Sequence, residues 1–105
     1  MTTIQLRRYV MEPGRLEALV EWFPALVPAR EKYGFRVLFA LADREREIFT
    51  WAVELDGDEQ RFREVEAVYN DSAERAEAFT TFPGGIADRE IGPADDVLAA
   101  IAAHR

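Results

Sequence analysis

TIQLRRYVMEPGRLEAL, residues 3–19, carries the reading on which the fold depends. Residues 3–11 alternate: Ile4, Leu6 and Val10 share one side of an extended chain, and Gln5, Arg7, Tyr9 and Met11 the other. That period of two predicts a β-strand. Arg8 interrupts the apolar side and is expected near its edge. Glu12-Pro13-Gly14 then turns the chain, with Pro13 suited to a first helical position. Leu16, Leu19, Val20 and Phe23 follow the i, i+3, i+4, i+7 spacing of a helix with one buried stripe. A strand feeding directly into an amphipathic helix is half of a split β-α-β unit.

The second half follows. Pro24 and Pro28 lack the backbone donor that a helix interior uses, so a kink or break is expected there, with a resumed turn to Tyr33 and a stop at Gly34. Residues 35–42 read as a strand, 43–46 as a charged hairpin loop, and 47–55 as the returning strand. Asp56 and Glu59 have capping-box spacing for a second helix bearing Phe62, Val65 and Tyr69. Asn70-Asp71 interrupts it, and Asp71 with Glu74 repeats the spacing before a short helix ending at Phe79. Residues 82–85 form a turn, 86–91 a fourth strand stopped by Gly92-Pro93, and Asp95 or Asp96 caps a last helix over 97–103.

The order β-α-β-β-α-β with a helical tail predicts an α+β, ferredoxin-like fold: a four-stranded antiparallel sheet with its helices on one face, as a single domain over residues 1–105. The first and third strands should be central neighbours. Phe49, Trp51 and Val53 lie on one side of the third strand, and Ile48, Thr50, Ala52 and Glu54 on the other. The face that carries no helices is too apolar for water, so a homodimer formed through it is expected.

Composition narrows the function. There is no cysteine among the 105 residues, so no disulfide framework or thiolate site is available. The net charge of −7 disfavours nucleic acid as a partner. No apolar run approaches the ~18 residues of a membrane span, and Met1-Thr2-Thr3 leads into a strand, so a cytoplasmic protein without a membrane partner is expected. The twelve Arg against one Lys read as genome composition. Ser72 and His104, each the sole residue of its type, cannot plausibly assemble a nucleophilic triad, and one terminal histidine supports neither a metal nor a haem site. No cofactor is expected. The P-G-G at 83–85 is a turn, not a phosphate loop.

Four stretches in order resemble the NIPSNAP family of the dimeric α/β-barrel superfamily: IQLRRYVMEPGRLEALVEWF, AREKYGFRVLFAL, IFTWAVELDGDEQRFREV and NDSAERAEAF. The L-R-x-Y strand followed by a P-G turn, REKYG at 30–34 and the tryptophan of FTWAVEL carry most of the resemblance. It implies two ferredoxin-like subunits packed sheet to sheet, with a cavity between each sheet and its covering elements, into which Gln5, Arg7 and Tyr9 point. Relatives carry a histidine two residues before the tryptophan, where this chain has Phe49; that departure bears on any shared activity. The superfamily includes cofactor-independent oxygenases, isomerases and cyclases, and proteins without established activity, and fold alone does not choose among them.

The candidate ligand-binding residues are therefore Gln5, Arg7, Tyr9, Phe49 and Trp51. A guanidinium and a phenol side by side suit an anionic or phenolic ligand; the favoured alternative is a structural ion pair of Arg7 across the dimer or at the barrel rim. A buried Arg7 needs a partner, such as Gln5 or Glu54 if strand pairing brings it close. Trp51 and Phe49 can wall an aromatic ligand or belong to the core. Glu54 is a possible base if desolvated. Residue parity assigns Ile4, Leu6 and Val10 to the helices, which leaves the Arg7 side facing a cavity between two sheets. Three readings follow: an enzyme acting on a small apolar or aromatic molecule, a non-catalytic binding or scaffold homodimer, or, more weakly supported, a purely structural dimer with a filled barrel. The 43–47 loop and the tail after Gly92 should add little to either.

Overall fold

The computed structural model describes residues 1–103; His104 and Arg105, and with them the expectation for His104, lie outside the described residues. Strand β1 (Thr2–Met11) leads into α1 (Leu16–Lys32), and the hairpin β2 (Arg36–Asp43) and β3 (Ile48–Asp56) follows. Helices α2 (Glu59–Asn70) and α3 (Ala73–Phe79), strand β4 (Ile86–Ala94) and helix α4 (Val97–Ala103) complete the chain. The sheet is antiparallel with the order β2-β3-β1-β4, so β1 and β3 are the central neighbours and the fold is ferredoxin-like.

Strand register decides which face is covered. Tyr9 pairs with Phe49, Arg7 with Trp51 and Gln5 with Val53. Directly paired residues point to the same side of a sheet. Phe23 of α1 packs on both Phe49 and Trp51, with ring centroids 5.0 and 5.1 Å apart. The Arg7 side is therefore the helix-covered side. This corrects the assignment by parity: Ile4, Leu6 and Val10 line the open face, where Leu6 remains exposed. The reason is volume. Phe49, Trp51 and Val53 offer α1 far more apolar surface than three aliphatic residues on β1, and β1 must follow the face its neighbour takes.

Helix α1 runs unbroken through Pro24 and Pro28, contrary to the expected break. Both prolines lie on its exposed side, where the carbonyls that lose their partners can meet water. Gly34, with φ of +92°, ends the helix region as expected. The caps differ from the sequence reading by one or two residues. Asp58, not Asp56, caps α2, its Oδ1 accepting from the Arg61 backbone N–H at 2.9 Å. Ser72, not Asp71, caps α3, its Oγ accepting from the Arg75 N–H at 3.1 Å. Asp96 caps α4, accepting from Ala99 N–H at 2.9 Å. Gly92 and Pro93 do not stop β4, which continues to Ala94; a proline is tolerated there because β4 is an edge strand with one unpaired side.

One core cluster joins the helices to the sheet, built on Leu16, Leu19, Trp22, Phe23, Phe35, Trp51, Phe62 and Tyr69. Trp22 anchors α3 from α1: its indole N–H donates to the Ala78 carbonyl at 2.8 Å, and its ring meets Phe79 and Phe82 edge-on. Among the described residues, no helix is long and apolar enough to cross a membrane.

Candidate functional site

Between the sheet and helices α1 to α3 lies a cavity of about 110 Å³. β1 and β3 supply its floor with Arg7, Tyr9, Phe49 and Trp51, and the helices supply its roof with Phe23, Arg30 and Tyr69. Four of the five residues named from sequence thus line one cavity inside the single chain, beneath its helices, not a space between two sheets. Gln5 does not line it. Its Oε1 instead accepts from Arg7 Nε at 2.7 Å and fixes that side chain.

Arg7 is held from three further directions. Its Nη1 donates to the Tyr9 hydroxyl at 3.2 Å, its Nη2 to Glu66 Oε2 at 3.2 Å, and its guanidinium carbon sits 5.3 Å from the Trp51 ring centroid. Glu54 is not its partner; it pairs with Arg36 at 2.8 Å on the open face, outside the cavity. The structural ion pair, the alternative for Arg7, exists; it is made within the chain with Glu66 of α2 rather than across a dimer or at a barrel rim.

Glu66 serves a second cation. Arg30 Nη1 donates to the same Oε2 atom at 3.1 Å. The Arg30 side chain is only 4 % exposed and its guanidinium lies over Tyr69 at 4.3 Å, Phe35 at 5.0 Å and Trp51 at 5.5 Å. Burial, and then the neighbouring charge of Arg7, lower its pKa from the ordinary arginine value. The Arg30 Nε–H and the Tyr69 hydroxyl, both buried, have no hydrogen-bond partner among the described residues. Burial pushes the Tyr69 phenol up, while Arg30, Arg75 and Arg7 oppose that shift. Two more arginines line the cavity: Arg75 stacked on Phe79 at 4.1 Å, and exposed Arg89 beside Tyr9.

Sequence reading did not single out Arg30, Glu66 or Tyr69 as parts of a site. A signal existed: Arg30 falls on the stripe of Leu19, Phe23 and Leu26, and Glu66 on that of Phe62 and Tyr69, where a charge is out of place. Among the described residues no group of three or more His, Cys, Asp or Glu side chains could hold a metal ion. The 43–47 loop and α4 contribute nothing to the lining.

The architecture is shared with solved proteins. An uncharacterized NIPSNAP domain protein from Burkholderia xenovorans superposes with a TM-score of 0.74 at 9 % identity, over 91 % of this chain and 94 % of that one. A NIPSNAP family protein of unknown function from Agrobacterium tumefaciens gives 0.75 at 9 %, over 90 % and 87 %. A putative antibiotic biosynthesis monooxygenase from Bacteroides thetaiotaomicron gives 0.62 at 19 %, over 91 % and 90 %. The chain has the fold of the NIPSNAP domain proteins, as the resemblance in its sequence implied. No family model matches the sequence, and no curated protein does.

Proposed function

We propose that this is a NIPSNAP-like homodimer whose subunits each bind one small, mainly apolar or aromatic molecule between sheet and helices. The observation that carries the reading is the cavity itself, walled by Phe23, Phe49, Trp51 and Tyr69 and furnished with a few convergent polar groups. That is the usual composition of a small-molecule site. Its volume of about 110 Å³ is somewhat below the ~150 Å³ of an apolar cavity known to admit benzene, so a small one-ring molecule is the size it suits. Trp22 and Trp51 both line it, which supplies the assay. Titration with one-ring aromatics should quench tryptophan fluorescence saturably and raise the melting temperature. A panel that leaves both unchanged at millimolar concentration refutes the reading.

The dimer is inferred from the open face. Leu6, Phe39 and Leu41 are exposed there, Leu41 at 61 %, around buried Ala52. Elsewhere on the surface, helix α4 exposes Val97, Leu98 and Ile101 and has no buried residue of its own. Burial of each large side chain against a second copy is worth on the order of 1 kcal/mol or more. A monomer at micromolar concentration in sedimentation velocity would remove this part.

A catalytic version, a cofactor-independent oxygenase, isomerase or cyclase, draws support from one feature. Tyr69 lines the cavity and its buried hydroxyl has no partner among the described residues, so a turn of the side chain would let it exchange a proton or hydrogen bond with a bound molecule. Turnover that disappears in Tyr69→Phe while binding persists would favour it over binding alone.

A further inference from the structure

We propose that the ligand is an aromatic monoanion, and that Arg30 and Tyr69 hold its charged end. The inference rests on the cavity reading above and adds the charge of the ligand. Two guanidinium groups, Arg7 and Arg30, converge on a single oxygen of a single carboxylate. The cluster therefore carries one uncompensated positive charge in a largely dry site. Arg75 and Arg89 add to the same sign along the lining, and in β4 the neighbouring acids Asp88 and Glu90 fall on the opposite, open face. Excess buried charge of this kind is costly unless something neutralises it.

The vacant hydrogen-bonding capacity matches. Arg30 and Tyr69 both line the cavity, and the guanidinium lies over that phenol ring at 4.3 Å. The Arg30 Nε and the Tyr69 hydroxyl are unpartnered but too deeply buried for water to reach. An oxyanion bound in the cavity balances the extra charge, and a small turn of the two side chains toward it lets it accept from both. The ring then lies against the aromatic lining supplied by Phe23, Phe49 and Trp51. A carboxylate and a phenolate are two common forms of such an anion, and both can accept from the same donors. The exposed Arg89 extends the positive lining towards solvent, which in a chain of net charge −7 sets the entrance apart from the overall charge.

The test compares benzoate with its neutral isostere benzamide and with toluene, and 4-nitrophenolate with nitrobenzene, by tryptophan fluorescence on the full chain. Benzoate or 4-nitrophenolate should bind at least about tenfold tighter than its neutral counterpart, the scale expected of a charge-assisted hydrogen bond in a desolvated site. Whichever anion wins names the form. Arg30→Lys, which keeps the charge but loses Nε and the planar fork, should lower that preference several-fold without changing toluene binding. Tyr69→Phe should lower it too, with an unchanged fold by circular dichroism. Equal affinity for the anions and their neutral counterparts overturns the inference while the cavity reading stands. An undiminished preference in both variants overturns the assignment to Arg30 and Tyr69. Failure of every probe, toluene included, overturns both.

Discussion

Glu66→Gln isolates the charge imbalance at the site and changes almost nothing else in shape. In the native chain Glu66 Oε2 holds Arg7 and Arg30 at 3.2 and 3.1 Å, so the two guanidinium nitrogens are within about 6 Å of each other. At that separation, with an effective dielectric near 20, two like charges repel by about 3 kcal/mol. Glutamine can still accept a hydrogen bond but no longer offsets that repulsion. Breaking a buried pair by removing one partner costs about 3–5 kcal/mol; the Glu66 side chain is 19 % exposed, which places the expected loss nearer 2–3 kcal/mol. For a domain of this size that lowers the melting temperature by about 8–15 °C. Calorimetry would measure it, and a double-mutant cycle with Arg7→Met gives the sharper result. Alone, Arg7→Met should cost about 1 kcal/mol, through lost stacking and hydrogen bonds. In the Glu66→Gln background it should be neutral or stabilising, because it removes one of two facing cations. Benzoate should also stabilise Glu66→Gln more than the native chain. Additivity of the two substitutions within about 0.5 kcal/mol would refute the reasoning.

Leu41→Glu places a charge among the exposed apolar residues of the open face, on edge strand β2, and should convert a sedimenting dimer to monomer with the secondary structure intact. Gly57→Ala should cost roughly 2 kcal/mol in urea denaturation, because Gly57 holds φ of +112°, where a side chain is strained; the added Cβ would also meet the Arg61 side chain, which can swing aside. Ser72→Ala should cost about 1 kcal/mol by the same measurement, through the lost cap of α3. The Asp56 carboxyl is held below its ordinary value mainly by the hydrogen bond from Arg36, and that of Asp43 mainly by the Arg46 backbone N–H. A depressed carboxyl stabilises the fold above its unfolded value and loses that contribution as pH falls through the folded one. Their share of stability should thus be constant from pH 7 to 5 and decline below about pH 4 in thermal melts.

The element order was legible because each signal was local. Period-two alternation in β1, the helical stripe after Gly14 and the charged hairpin between β2 and β3 need no knowledge of distant residues. Capping was less legible. Asp56, Asp58 and Asp71, Ser72 present neighbouring side chains able to cap, and the backbone path through Gly57, with its positive φ, selects the later one in α2. Sheet facing was not local at all. Seen alone, Ile4, Leu6 and Val10 make the better helix-facing set; only pairing with β3 shows that Trp51 brings Arg7 under the helices.

The missing half of the site has the same origin. Arg30 belongs to the stripe of Leu19, Phe23 and Leu26 only if α1 keeps its phase through Pro24 and Pro28, and an expected break there severs that register. The structure keeps the phase because both prolines face solvent, so the freed carbonyls cost little and the apolar stripe continues into a charged residue. Arg30 then lands opposite Arg7, a residue 23 positions earlier, and both meet a glutamate from a third element. In a chain with twelve arginines and a net negative charge, no count by residue type separates these two from the rest. What separates them is burial. A buried arginine on an apolar helical stripe must be answered by some anion, and here one carboxylate is shared between two such arginines. The unanswered charge is the physical feature from which the character of the ligand follows.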